Sequence, residues 1–168
     1  MALIPPAFLN SVVSIGIEEN NEKDEPRFKS IATGFFIGKA IGEKNDKGEQ
    51  PHRLFLTTNR HVFYNSKLKQ YVKEVLFRLN TTENKSHHFK VSLLNEDGTP
   101  TWSTHDNDNE NVDLAILPIN PDAMTEAKIE FYFFNEGNLF FAKDFAIKSI
   151  STGERHPFLK TTILSIIT

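Results

Sequence analysis

Two residues in this chain have the types and settings that proton-transfer chemistry needs. His61 ends an apolar, β-branched run from Leu54 to Phe63, and Asp113 enters a second apolar run, Val112 to Leu117, 52 positions later. A neutral imidazole is the side chain suited to take a hydroxyl proton near neutral pH, because its unperturbed pKa lies at about 6.5. A carboxylate on the other ring nitrogen fixes the tautomer and stabilises the imidazolium that forms. Such a carboxylate works best desolvated and rigid, and the flanking Val112 and Leu114 place Asp113 at the mouth of an apolar strand. His61, just past a strand, would be held on the scaffold and not on a floating loop. Taken singly, each residue has an ordinary explanation: a histidine at a strand end is commonly a surface residue, and an aspartate at a strand start commonly caps a turn.

Other chemistries are poorly served. His87 and His88, or His105 with Asp106 and Asp108, are the candidates for a metal site. Adjacent residues on a strand point to opposite faces, and no helical His-x-x-x-His pair occurs, so neither a metal nor another cofactor is expected. The absence of cysteine excludes disulfides, thiolate metal sites and a cysteine nucleophile. The net charge of -3, with no basic block, argues against nucleic acid as a partner.

The elements that must position His61 and Asp113 read as strands. Val13, Ile15 and Ile17 alternate with Ser14 and Gly16; Ser30 to Gly38, Arg53 to Thr58, Tyr71 to Leu79, Phe89 to Leu94 and Val112 to Ile119 continue the extended character. Asn20 to Arg27, Ile41 to Pro51 and Asn95 to Asn111 read as polar loops, and Val62 to Gln70 has room for one helical turn. Six short strands with turns between them predict an all-β fold, a six-stranded antiparallel barrel or sandwich. Met124 to Phe134 fits helix or strand equally. At 168 residues, 39% apolar and 24% charged, the chain suits one globular domain with an appendage, and its 15 phenylalanines suit a core. The N-terminus has no basic region followed by an apolar one, and no run approaches the roughly 18 apolar residues of a membrane span. A cytoplasmic chain without a membrane partner is expected.

Three segments together resemble the trypsin-like serine proteases, and among them the cysteine-poor microbial branch. They are Ala32-Thr33-Gly34-Phe35-Phe36-Ile37, Leu56-Thr57-Thr58-Asn59-Arg60-His61-Val62 and Val112-Asp113-Leu114-Ala115-Ile116-Leu117-Pro118, with Trp102 and His105 ahead of the last. The resemblance covers about Val12 to Pro121. It implies a domain over residues 1–121 equivalent to the first barrel of a chymotrypsin-like protease, followed over 122–168 by a linker and a short, atypical C-terminal segment. It also implies peptide-bond hydrolysis, with His61 as general base and acid and Asp113 as the orienting carboxylate.

The family's serine sits in a Gly-x-Ser-Gly-Gly turn whose amides form the oxyanion hole. No serine here has glycine two residues before it or immediately after it, and Ser149-Ile150-Ser151-Thr152-Gly153 is the nearest imitation. In the family the serine follows the aspartate by roughly ninety residues; 55 follow Asp113. The expectation is a His/Asp half that is inactive alone and acts on a peptide or protein substrate once completed by a second barrel. The other reading is a non-catalytic, protease-like binding module. An uncovered barrel face and the uncharged, β-branched tail Thr161 to Thr168 favour self-association.

Overall fold

Alternation of apolar and polar side chains at period two decides which face of each strand turns inward. The computed structural model describes residues 9–83, 85–104 and 112–135. Its elements are β1 (Val12–Asn20), β2 (Pro26–Ala40), β3 (His52–Thr58), a 3-10 helix (Arg60–Val62), β4 (Tyr64–Asn65), β5 (Gln70–Tyr71), β6 (Glu74–Asn80), β7 (Ser86–Ser92), β8 (Ala115–Ile119) and α1 (Pro121–Glu126). Six strands form one antiparallel sheet in the order β7-β6-β1-β2-β3-β8, and β4 and β5 form a separate hairpin.

The sheet curls around a core drawn from every second residue: Val13 and Ile15, Phe36, Leu54 and Leu56, Val75, Phe77 and Leu79, Ala115 and Leu117. Among the described residues, its two outer strands are linked only through the segment that follows β7. Past β7 the chain turns at Gly98; the return limb pairs first with its own start (Leu94 with Pro100), then with β8 (Ser103 with Ile116). The result is barrel-like, closed there by single bridges and not by a continuous ladder. β3 and β8 also carry apolar residues on their other face, where Phe55 and Ile116 cluster with Ile37 of β2 and with Leu114.

Several local expectations change. Ile17 does not join Val13 and Ile15 inside: the pairing of β1 with β6 ends at Gly16, and Ile17, in the part of β1 paired with β2 alone, is exposed. The polar loop expected at Asn20 to Arg27 is a turn over residues 21–25, in which the Asn21 side-chain oxygen accepts the amides of Lys23 and Glu25, and only Asn20, Pro26 and Arg27 belong to the flanking strands. The single helical turn predicted within Val62 to Gln70 lies earlier, at Arg60–Val62, and the hairpin β4-β5 follows it. Met124 to Phe134 contains both alternatives. Asn120 caps α1 by accepting the Asp122 amide, and Pro121 suits its first position. After α1, Ile129 bridges to Thr81 and Phe134 to Ile37, so residues 121–135 pack on the sheet with Met124 and Ile129 buried. His105, Asp106, Asp108, the serines at 149, 151 and 165 and the tail Thr161 to Thr168 lie outside the described residues. Among the described residues, no helix is long and apolar enough to cross a membrane.

Gly34 keeps β2 tight against the end of β3 that leads to His61. A Cβ there would sit 2.8 Å from the Thr57 carbonyl oxygen, 3.0 Å from Leu56 Cδ1 and 3.3 Å from Ile15 Cδ1. Gly34→Ala is therefore expected to destabilise the protein by about 1–3 kcal/mol through overpacking. Thermal unfolding checks this, and an unchanged melting temperature would show that the β2-β3 contact yields freely.

Candidate active site

The site lies where β3 ends and β8 begins. Antiparallel pairing runs from Leu54 opposite Ile119 to Thr58 opposite Ala115, so the segment after Thr58 and the segment before Ala115 emerge side by side. Thr58 is pinned from the other flank, its hydroxyl donating to the Thr33 carbonyl at 2.9 Å. The chain leaves β3 through extended Asn59 and enters the 3-10 turn. Two buried residues anchor that turn from below: Val62 and Phe63 both belong to the core, and Phe63 packs against Trp102 with ring centroids 5.6 Å apart.

Asp113 reaches this turn and is held by three donors. The His61 backbone amide donates to Oδ1 at 2.9 Å, and the Asn59 side-chain amide donates to Oδ2 at 3.0 Å. The third contact joins the same Oδ2 to His61 Nδ1 at 2.5 Å. Partial burial pushes the Asp113 carboxyl up, but hydrogen bonds from the His61 amide, the His61 ring and Asn59, together with the His61 charge, outweigh it. The carboxyl is held below the ordinary carboxylate range. At neutral pH it is ionised and only accepts, which assigns the Nδ1 proton to the ring side of the contact. Nε2 of a neutral His61 is then the unprotonated nitrogen, the form a general base requires.

Asp113 is less desolvated than its apolar neighbours imply. Its side chain is 45% exposed and that of His61 69%. Alternation explains this: Leu114 and Val112 join the outer apolar cluster, so Asp113 between them turns away toward the 3-10 turn. His61 and Asp113 share an open cavity of about 830 Å³ with Arg60, Tyr64, Ser66, Lys69 and Val112. The β4-β5 hairpin supplies one wall, its turn shaped by the Asn65 side-chain oxygen, which accepts the amides of Lys67 and Leu68. Tyr64, Tyr71 and Trp102 pack in series behind that wall, with centroid separations of 5.2 and 6.0 Å.

His87 and His88 lie away from this cavity's lining, on β7: His88 stacks on Phe28 at 4.9 Å and His87 packs beside Phe89 at 4.5 Å. Among the described residues no three histidine, aspartate or glutamate side chains converge as a metal site would need. Asn59 and the hairpin residues were not legible as site residues. Asn59 is a contact made only through folding, whereas the turn at Asn65 carries a local signal, an asparagine ahead of Ser-Lys.

Asp113→Asn tests the arrangement. An amide nitrogen facing Nδ1 would donate, and the ring proton is expected to move to Nε2; long-range nitrogen-proton NMR of the imidazole reads the tautomer. Retention of the Nδ1 proton in the variant would show that Asp113 does not set it. Because the folded carboxyl sits below its unfolded value of about 3.9, its contribution to stability is fully present above that pH. It is lost as pH falls through the folded value. Solvent screening at a half-exposed group limits the difference between wild type and Asp113→Asn to about 1 kcal/mol at neutral pH. Denaturant melts should show that difference disappear in acid. Comparison of the chain with protein-family models, with curated proteins and with solved structures finds no match in any of the three, so a functional reading rests on the geometry of the site itself.

Proposed function

We propose that this chain is the His/Asp half of a trypsin-like serine peptidase, with the fold of the first barrel of a chymotrypsin-like protease. The observation that carries the reading is the double engagement of one carboxylate: Asp113 takes the His61 ring nitrogen on one oxygen and the His61 backbone amide on the other. A carboxylate that merely capped a turn would need only the amide. Binding the ring as well fixes both its tautomer and its direction, which is what an orienting carboxylate does for a general base. The strand order agrees, since the histidine follows the third strand of the sheet and the aspartate precedes its last.

In this reading Nε2 of His61 accepts the proton of a serine hydroxyl as that oxygen attacks the peptide carbonyl. His61 then returns the proton to the departing amine, while Asp113 stabilises the imidazolium between the two transfers. The serine belongs to a second barrel, since none in this sequence has the flanking glycines of the family's turn. A second barrel would also cover the exposed His61 ring, removing water from around the dyad and strengthening its electrostatics. The alternative, a non-catalytic binding module that keeps the barrel, is favoured by that same lack of a glycine-flanked serine.

The purified chain is expected neither to cleave peptides nor to take up a fluorophosphonate probe. Captured from the cells that make it, the protein should bring with it a polypeptide that does take up the probe, and His61→Ala should abolish uptake. Labelling indifferent to His61→Ala, or no labelled species in the assembly, would reject the peptidase in favour of the binding module. Stoichiometric labelling of Ser149, Ser151 or Ser165 would instead place the nucleophile in this chain's own C-terminal region.

A further inference from the structure

Asn59 stands where a helix cap is expected and does not act as one. It precedes the 3-10 turn with an extended backbone, φ -73° and ψ 141°, and its side chain makes no capping bond to that turn. An asparagine so placed ordinarily accepts the second or third amide of the turn, an interaction worth about 1 kcal/mol. The second amide is that of His61, and it donates instead to Asp113 Oδ1 at 2.9 Å. A carboxylate 52 positions away has taken over the cap, and the Asn59 side chain is released for another contact.

That contact is with Asp113 itself. The Asn59 amide nitrogen lies 3.0 Å from Oδ2 and 3.4 Å from the Asp113 carbonyl oxygen. Both partners only accept, so the NH2 end of the amide must face them and the orientation of Asn59 is settled. One bond holds the carboxylate and the other the main chain, which together restrain the side-chain torsions between them. The remaining two donors both belong to His61, its amide and its ring. A carboxylate held only by the residue it orients would have no outside reference, and at 45% exposure water competes for its oxygens. Asn59 supplies that reference from the end of β3, one residue past Thr58, whose hydroxyl is bonded to the Thr33 carbonyl.

We infer that Asn59 is a positioning residue: it clamps the carboxylate and the carbonyl of Asp113 so that Oδ2 meets His61 Nδ1, and the His/Asp pair is preorganised within this chain alone. What the pair is positioned to do rests on the peptidase reading; the clamp itself does not. In that reading a second barrel brings its nucleophile to a base that is already oriented. The electrostatics agree with the geometry. Burial pushes the Asp113 carboxyl up, and the hydrogen bonds from His61 and Asn59 bring it down, so loss of the Asn59 donor moves its titration upward.

The test uses the full chain, as wild type and with Asn59→Ala or Asn59→Asp, and reads two NMR signals. Asn59 is exposed, so neither substitution removes core packing, and the amide spectrum of the barrel checks that the fold is kept. Asn59→Asp preserves the shape of the side chain and replaces its donor with an acceptor. In both variants the Asp113 carboxyl carbon is expected to titrate at higher pH than in wild type, with the larger rise in Asn59→Asp, where two carboxylates face each other. The His61 ring, read at about pH 8, above the ordinary imidazole pKa, should pass from the Nδ1–H form to a mixture with the Nε2–H form. Retention of the pure Nδ1–H form in Asn59→Ala, or an Asp113 titration that does not rise, would overturn the inference; Asn59→Asp decides by the same signals should Asn59→Ala disturb the barrel. Fluorophosphonate labelling of the captured assembly stands apart from these measurements. Altered NMR signals without a labelled species keep the clamp and reject the peptidase, whereas His61-dependent labelling with unaltered signals keeps the peptidase and rejects the clamp.

Discussion

The register between β3 and β8 is the constraint on which the site depends. Thr58 stands opposite Ala115, so three residues beyond one strand and two residues before the other the chain brings His61 and Asp113 to the same end of the sheet. A slip of one residue would turn Leu54, Leu56, Ala115 and Leu117 out of the core and carry the dyad apart. The register is well specified because Leu54, Leu56, Ala115 and Leu117 fill the inside of the sheet, and a slip would exchange them for their outward neighbours.

On that scaffold the local chemistry is short-range. The 3-10 turn presents the His61 amide and ring to a single carboxylate, and its position is set from beneath by Val62 and Phe63, not by the polar contacts themselves. The aromatic series from Phe63 through Trp102 and Tyr71 to Tyr64 then carries the same packing out to the hairpin wall, where Arg60 rests on the last ring. Rigid support under an exposed polar cluster is what allows a few ångströms of geometry to persist at a surface site. It also explains how Asp113 stays oriented although its side chain is half exposed, and its three donors compensate for the water that partial burial removes.

Much of this was legible in the sequence, and the physical reason is period. The strands that lead to His61 and away from Asp113 showed as apolar runs, and the mostly β, antiparallel character followed from the number of such runs and from the turns between them. Composition excluded cysteine chemistry outright. Tertiary structure decided what alternation cannot encode. Ile17 is exposed although it continues the alternation of Val13 and Ile15, because β1 extends past its pairing with β6 there. The helix-or-strand ambiguity of Met124 to Phe134 became a capped helix followed by bridges to Thr81 and Ile37, contacts with residues far away in the chain. The role of Asn59 as a third donor to Asp113 likewise required partners to meet across the fold. Sequence by itself determined which residues have the chemistry to act; only the folded register of β3 against β8 decided which of them touch, because hydrogen bonds and fields fall off within a few ångströms and the chain distance between His61 and Asp113 says nothing about that separation.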